Sequence, residues 1–360
     1  MSADSTLAGS ALAAPPAGSS TGHRSPWQRA WTRFRRNRLG YVSFWIFCIL
    51  MALATASPLI ANDKPLLAYY NGTLYCPILF EHRETDFGGD FLTTPDWFDP
   101  FIDAQFKKDG NWRLHTLIRY SPNTINYTNL VSNPSPPSAA NWLGTDPHGR
   151  DVLARLLYGF AVSVYFGLAL TAVATLIGIA AGAVQGYFGG WVDLTGQRVI
   201  DIWNAIPFLY LLIILASVLE PSISILLFLF AIFGWTQLAD YVRAEFLRNR
   251  SLEFVKAARA MGLSHWRIIR RHILPNSMTP VITFLPFRMS DAVLGLTALD
   301  FLGLGVPATV PSLGELLRFG KDNIEAWWIT LPTFVVLVMT LLLLTFIGDA
   351  LRDAFDTRKA

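Results

Sequence analysis

Residues 39–61 run 23 positions without a charged side chain, directly after six arginines, Arg24, Arg29, Arg33, Arg35, Arg36 and Arg38. A helix needs about 20 apolar residues to cross a bilayer core, so this segment is predicted to span a membrane with its basic flank in the cytoplasm. Further apolar segments recur at 161–184, 199–219, 223–240, 277–299 and 327–348. The prediction is an all-α membrane protein with six transmembrane helices. Composition agrees, with 52% hydrophobic and 15% charged residues against about 25% charged in soluble domains. Ala54-Thr55-Ala56 offers a signal-peptidase site as the alternative; the long preceding region and the later spans favour an uncleaved anchor.

The polar segments give the topology. Residues 1–38 read as a disordered basic cytoplasmic tail, with 1–23 rich in Ala, Ser, Gly and Pro and lacking apolar periodicity. Residues 62–160 carry eight Lys or Arg against eleven acids, the balance of the far side of a membrane. This insert interleaves aromatics with turn residues and is expected to hold a small lobe, with 133–138 as a linker. The stretch 242–276 has eight bases against Glu245 and Glu253 and is assigned to the cytoplasm. Counting spans from a cytoplasmic N-terminus gives the same side, so a core at 161–350 ends in a cytoplasmic tail, 351–360.

Several functional classes lack support. A formal charge of +3 does not suggest nucleic-acid binding. Cys48 and Cys76 cannot make a disulfide framework or a cysteine-based zinc site. Gly314, Gly320, Lys321 and Asp322 imitate a phosphate-binding loop, but with one residue too many between the glycines and no hydroxyl after the lysine. Gly303 and Gly305 read as a tight turn. The histidines show no metal-binding spacing, and no acid pair or Ser/His pair stands at matching depth in separate spans. No catalytic constellation emerges.

The informative stretch is 253–275. Phe254, Ala257, Ala258 and Met261 recur at helical spacing, opposite charged residues that include Glu253 and Lys256. Gly262 suits the left-handed position that ends a helix. Ser264 is expected to cap a second helix that Pro275 closes. The resulting helix–glycine–helix hairpin has two readings, a docking surface for a partner or a surface element lying in lipid headgroups.

Ala257-Ala258, Gly262 four residues later and Leu274-Pro275 resemble the EAA loop of ABC importer permeases, with Lys256 in place of its glutamate and His272 where many members have Ile. The resemblance continues through Leu143-Gly144-Thr145-Asp146, Gly149-Arg150-Asp151, Trp191 with Asp193, Asn276-Ser277, Phe301-Leu302-Gly303-Leu304-Gly305, Pro311-Ser312-Leu313-Gly314 and Arg352-Asp353. These motifs look like the C-type permease of oligopeptide and dipeptide importers. The long insert and Leu299-Asp300-Phe301 further resemble the permease of microcin C-type uptake systems.

That resemblance implies a type I importer permease fold with a periplasmic insert after the first helix, in the bacterial inner membrane. It implies a homologous B-type permease, two ATP-binding subunits or one fused ATPase, and a periplasmic substrate-binding protein as partners. ATP and Mg²⁺ would be used by the partner subunits, with no cofactor bound by this chain. Glu253, Lys256, Ala257, Ala258, Met261, Gly262, Leu274 and Pro275 would couple to the ATP-binding subunit. Cargo would be peptides or peptide-like compounds; a membrane scaffold and a permease for metals or other small solutes are the alternatives.

Charges at membrane depth form a second candidate set. Arg288 and Asp291 stand at i,i+3 in the fifth predicted span, where an unpaired charge costs about 2.5 to 3.5 kcal/mol. They are expected to pair and to line the translocation path or the partner interface, or to serve as a packing device. Asp193, Arg198, Asp201, Asp240 and Arg243 read as interfacial charges, and Asp146, Arg150 and Asp151 as a candidate gating or docking contact.

Overall fold

The computed structural model describes residues 26–108, 110–127, 132–219 and 222–355. Of the tail predicted to be disordered over 1–38, residues 1–25 lie outside them, as do residues 356–360, whereas Pro26–Arg36 is helical. Helix α1 (Pro26–Arg36) is amphipathic, burying Ala30 and Phe34 while Trp27, Arg29, Trp31, Arg35 and Arg36 are exposed. Asn37 ends α1 and caps α2 (Arg38–Thr55), accepting a hydrogen bond from Gly40 N at 3.1 Å. The first predicted span therefore breaks at Ala56, and a short α3 (Ser57–Ile60) leads out of it.

The insert folds on aromatic residues. Strands β1 (Leu67–Tyr70) and β2 (Thr73–Tyr75) form a hairpin whose two-residue turn, Asn71-Gly72, has positive φ at both positions (47° and 84°). That turn chemistry matches the twist of a hairpin. Helix α4 (Pro100–Phe106) follows, and β3 (Trp112–Leu114) completes an antiparallel sheet of order β2-β1-β3. Phe87 is fully buried among Tyr70, Trp97 and Phe106, its ring centroid 5.1 Å from that of Trp97. The expected lobe is present, and its sheet adds β structure to a chain read as all-α.

The predicted linker is not free. Ser135 N and Oγ lie 2.9 and 2.8 Å from Thr145 Oγ1, and that hydroxyl donates to Asn133 Oδ1 at 2.9 Å. These bonds bind the segment to the entrance of α5 (Val152–Phe188), whose N-cap Asp151 accepts from Ala154 N at 2.8 Å. Helix α5 thus begins nine residues before the predicted boundary of 161 and is about 55 Å long at 1.5 Å per residue. The insert lies at one end of it and the 253–275 hairpin at the other.

After α5, α6 (Gly190–Asn204) and α7 (Phe208–Val218) meet at a 62° bend. Pro207 lies in the break; it lacks an N–H and disfavours helical backbone before it, so the third predicted span is a broken one. Helices α8 (Ile223–Gly234) and α9 (Thr236–Asn249) together form one span, Ile223–Asn249. The expected cytoplasmic segment 242–276 consequently begins inside α9. Among the described residues five helices are long and apolar enough to cross a membrane, and the bent pair makes a sixth candidate.

Close packing of α5 on α9 uses glycine. Gly178, Gly182 and Gly186 stand on one face, and a Cβ at Gly182 would lie 2.4 Å from Ala239 O. Without an apolar driving force between helices in lipid, such backbone approach supplies the van der Waals contact that holds them. The remaining elements are α10 (Glu253–Ala260), α11 (His265–Ile268), a π-helical turn Ile269–Ile273, α12 (Leu274–Phe301), α13 (Leu313–Asp322) and α14 (Trp327–Phe355).

Candidate functional site

The hairpin forms as its sequence dictates at the glycine. Gly262 has φ +76°, its N–H donates to Arg259 O at 3.0 Å, and Leu263 N donates to Ala258 O at 3.2 Å. This is a Schellman ending, in which a left-handed glycine lets two orphan carbonyls be satisfied. Ser264 occupies the N-cap of α11 with extended backbone, but its side chain makes no capping bond. Pro275 does not close the second helix either. Leu274 N donates to Ile269 O, a π-type bond that opens the ladder where the proline ring would meet the preceding turn. The hairpin's second arm therefore runs without a loop into α12, as one candidate span His265–Phe301.

The apolar stripe expected on α10 divides in two. Val255 and Ala258 are buried and pack with Tyr187 of α5, Phe246 of α9, and Ile268 and Ile273 of the second arm. Tyr187 fixes the second arm through a 2.7 Å hydrogen bond between its hydroxyl and His265 Nδ1. The opposite face carries Leu252, Phe254, Met261 and Trp266 into the open, with Met261 72% and Trp266 68% exposed. Glu253 and Lys256 pair at 2.9 Å on the surface, and Ala257 lies exposed near them. The sequence assigned Phe254, Ala257, Ala258 and Met261 to one apolar face; the neighbours of α5 and α9 select Val255 and Ala258 for the core and leave the rest outside.

Arg288 and Asp291 are less closely paired than expected, at 4.0 Å. Arg288 donates instead to Gln237 Oε1 at 2.8 Å and to the carbonyl of Gly234, so it ties α12 to the α8–α9 junction. Asp291 is 68% exposed. Asp193 and Arg243 form a two-pronged ion pair joining α6 to α9, whereas Arg198 and Asp201 pair on the surface at 3.0 Å. Asp240 accepts from Gln197 at 3.1 Å.

A buried ionic cluster closes the opposite end of the bundle. Asp146 accepts from Arg150 Nε at 2.7 Å and from the backbone N–H groups of His148 and Arg150. Arg155, fully buried in the first turn of α5, donates to Glu315 of α13 and to Pro122 O, the latter at 2.9 Å. Arg150 also reaches Glu315 at 3.5 Å. Asp151, whose carboxyl burial pushes up and the Ala154 and Asn141 hydrogen bonds pull down, caps α5 beside the cluster. Asp146 and Arg150 were visible in the sequence; Arg155 and Glu315 were not, since no local pattern links residues 160 positions apart. Asp300, part of the Leu299-Asp300-Phe301 motif, is buried and accepts from Val306 N at 2.7 Å, holding the turn that follows α12.

With this geometry established, similarity to known proteins is direct. Residues 154–360 match the family model described as binding-protein-dependent transport system inner membrane component, and residues 25–75 match the N-terminal TM domain of oligopeptide transport permease C. The chain belongs to this family of binding-protein-dependent ABC transporter permeases. It is 50% identical over 333 residues to the inner membrane ABC transporter permease protein YejE of Escherichia coli K12, covering 92% of this chain and 97% of that protein. It is 44% identical over 377 residues to the peptidoglycan transport system permease protein YejE of Agrobacterium fabrum, covering 96% and 98%. The dipeptide transport system permease protein DppC of Alkalihalophilus pseudofirmus is 36% identical over 233 residues, covering 64% and 76%. It is thus a multi-pass membrane subunit of an ABC transporter that works with an ATPase and other subunits.

Proposed function

We propose that this chain is the C-type permease half of an importer for peptides or peptide-like compounds, and that the α10–α11 hairpin docks on an ATP-binding subunit. The observation that carries the docking role is the hairpin's two-sidedness. Its inner face is fixed by Val255, Ala258 and the Tyr187–His265 bond, while Leu252, Phe254, Met261 and Trp266 stand exposed. Aromatic and Met side chains on a rigid support are what a protein partner buries at the centre of an interface.

In this reading both termini and the hairpin are cytoplasmic, and the insert faces the periplasm with a substrate-binding protein. A homologous B-type permease completes the pore, and ATP with Mg²⁺ is bound and hydrolysed by the partner subunits. Closure of those subunits would move the two hairpins together and switch access from one side to the other. The cargo class rests on relatives named for dipeptide and peptidoglycan transport; microcin C-like conjugates are the narrower candidate. The test is ATP-dependent uptake of a labelled peptide panel, including a microcin C-like conjugate, in cells lacking this chain but retaining its partners. Uptake restored by the wild-type chain and not by Met261→Asp or Gly262→Pro supports the assignment. Restoration by both variants rejects the docking role, and no difference for any peptide rejects the cargo class.

A further inference from the structure

A cavity of about 460 Å³ lies at the hairpin end of the bundle, between α1, the start of α12 and the end of α14. Arg29 and Arg33 line it from α1, Asn276 and Met278 from α12, and Trp27 and Phe355 meet edge to face at 5.5 Å on its rim. Arg29 is exposed and unpaired among the described residues. Asn276 donates one amide hydrogen to His272 O at 2.7 Å and keeps a second. The cavity thus combines guanidinium and amide donors with an apolar wall continued by Ile282.

Two features of α1 identify the occupant. Its buried Phe34 packs on Ala350 and Ala354 of α14, whereas Trp27 and Trp31 are 61% and 44% exposed. Tryptophan with arginine on an amphipathic helix is the composition that seats at a membrane interface, and basic pockets between spanning helices recognise anionic headgroups. We propose that this cavity binds the headgroup of an anionic phospholipid, the phosphate held by Arg29 and Asn276 and an acyl chain along Met278 and Ile282. Such a lipid joins the interfacial helix to the root of the hairpin. The proposed orientation places this lipid in the inner leaflet, and only that placement rests on it.

The full chain, purified with its partner subunits in detergent, is titrated with phosphatidylglycerol, and bound lipid is counted by native mass spectrometry. Phosphatidylcholine and inorganic phosphate are run in parallel. One saturable phosphatidylglycerol per chain is expected, bound about tenfold more weakly by Arg29→Gln and by Asn276→Ala. Arg36→Gln, on α1 outside the cavity, should bind as the wild type does. Equal binding of phosphatidylcholine, equal competition by free phosphate, equal weakening in Arg36→Gln, or no weakening in either cavity variant would each overturn the site. Detergent micelles have no sides, so the result is independent of the orientation and of transport.

Discussion

Arg155 and Glu315, 160 positions apart in the chain, form an ion pair in which the arginine is wholly shielded from solvent. The pair joins the first turn of α5 to α13. Removing one partner strips a buried charge of its nearest counterion, leaving Glu315 only Arg150 at 3.5 Å or Arg155 only Asp146 at 3.7 Å, which costs up to about 3 to 5 kcal/mol. Arg155→Met should therefore lower the thermal unfolding temperature of the purified chain sharply. Glu315→Gln should cost less, because its amide oxygen still accepts from Arg155. A double-mutant cycle on the two positions should show coupling well above the noise of the single changes; additivity would disprove the lock.

Gly262 presents a different kind of sensitivity. Nothing lies within 4 Å of where a Cβ would stand, so space does not require glycine there; φ of +76° does. Gly262→Ala should cost about 1 to 2 kcal/mol of local stability through backbone strain. Gly262→Pro should cost more, since proline cannot adopt that φ and loses the N–H bonded to Arg259 O. Amide hydrogen exchange across residues 253–268 reads both effects, and unchanged protection in the proline variant would contradict the geometry.

Gly182 is constrained by space alone. A valine there must push α9 away from α5, because even its Cβ would meet Ala239 O at 2.4 Å. Overpacking of this sort costs about 1 to 3 kcal/mol, and Gly182→Val should reduce the yield of folded chain recovered from membranes. Leu176→Val, on the same helix with its side chain 69% exposed, is the matched control and should leave yield unchanged.

Met261 tests surface against stability. At 72% exposure, its replacement by Asp should leave the unfolding free energy within about 0.5 kcal/mol of wild type while weakening capture of the ATP-binding subunit by at least tenfold. Loss of both together would mean the side chain supports the fold rather than a partner.

The insert carries a pH response. Burial, reinforced by Arg119 and Arg113, lowers the His115 pKa to about 4 from 6.5. Between those values the unfolded chain takes up a proton that the folded lobe refuses, so stability is fully present above pH 6.5 and falls as pH drops towards 4. Thermal melts of the full chain across that window should show the insert's transition moving down with pH. His115→Gln should flatten the slope; an unaltered slope would assign it to other groups.

What the sequence revealed divides by the range of the interaction. Helix spans, the polar insert and the Gly262 turn are written in composition and local backbone chemistry, and they stand in the structure near their predicted places. The boundaries that moved did so where neighbours decide: α5 begins at Val152 because Asp151 caps it, and α10 turns Val255 inward because α5 and α9 wait there. Asn71-Gly72 was a legible hairpin signal passed over within a chain read as helical. Arg155 with Glu315, and Arg288 with Gly234, bring together residues that no periodicity relates.

The absence of a loop between α11 and α12 has a consequence for how this chain can change. At 3.6 residues per turn, one residue added near Leu274 rotates the hairpin by about 100° relative to the rest of α12. Phe254 and Met261 would then point away from wherever they point now, with every side chain chemically intact. The segment should accept many substitutions across its lineage and almost no change in length, so that its residue count, more than its residue identities, is the inherited quantity.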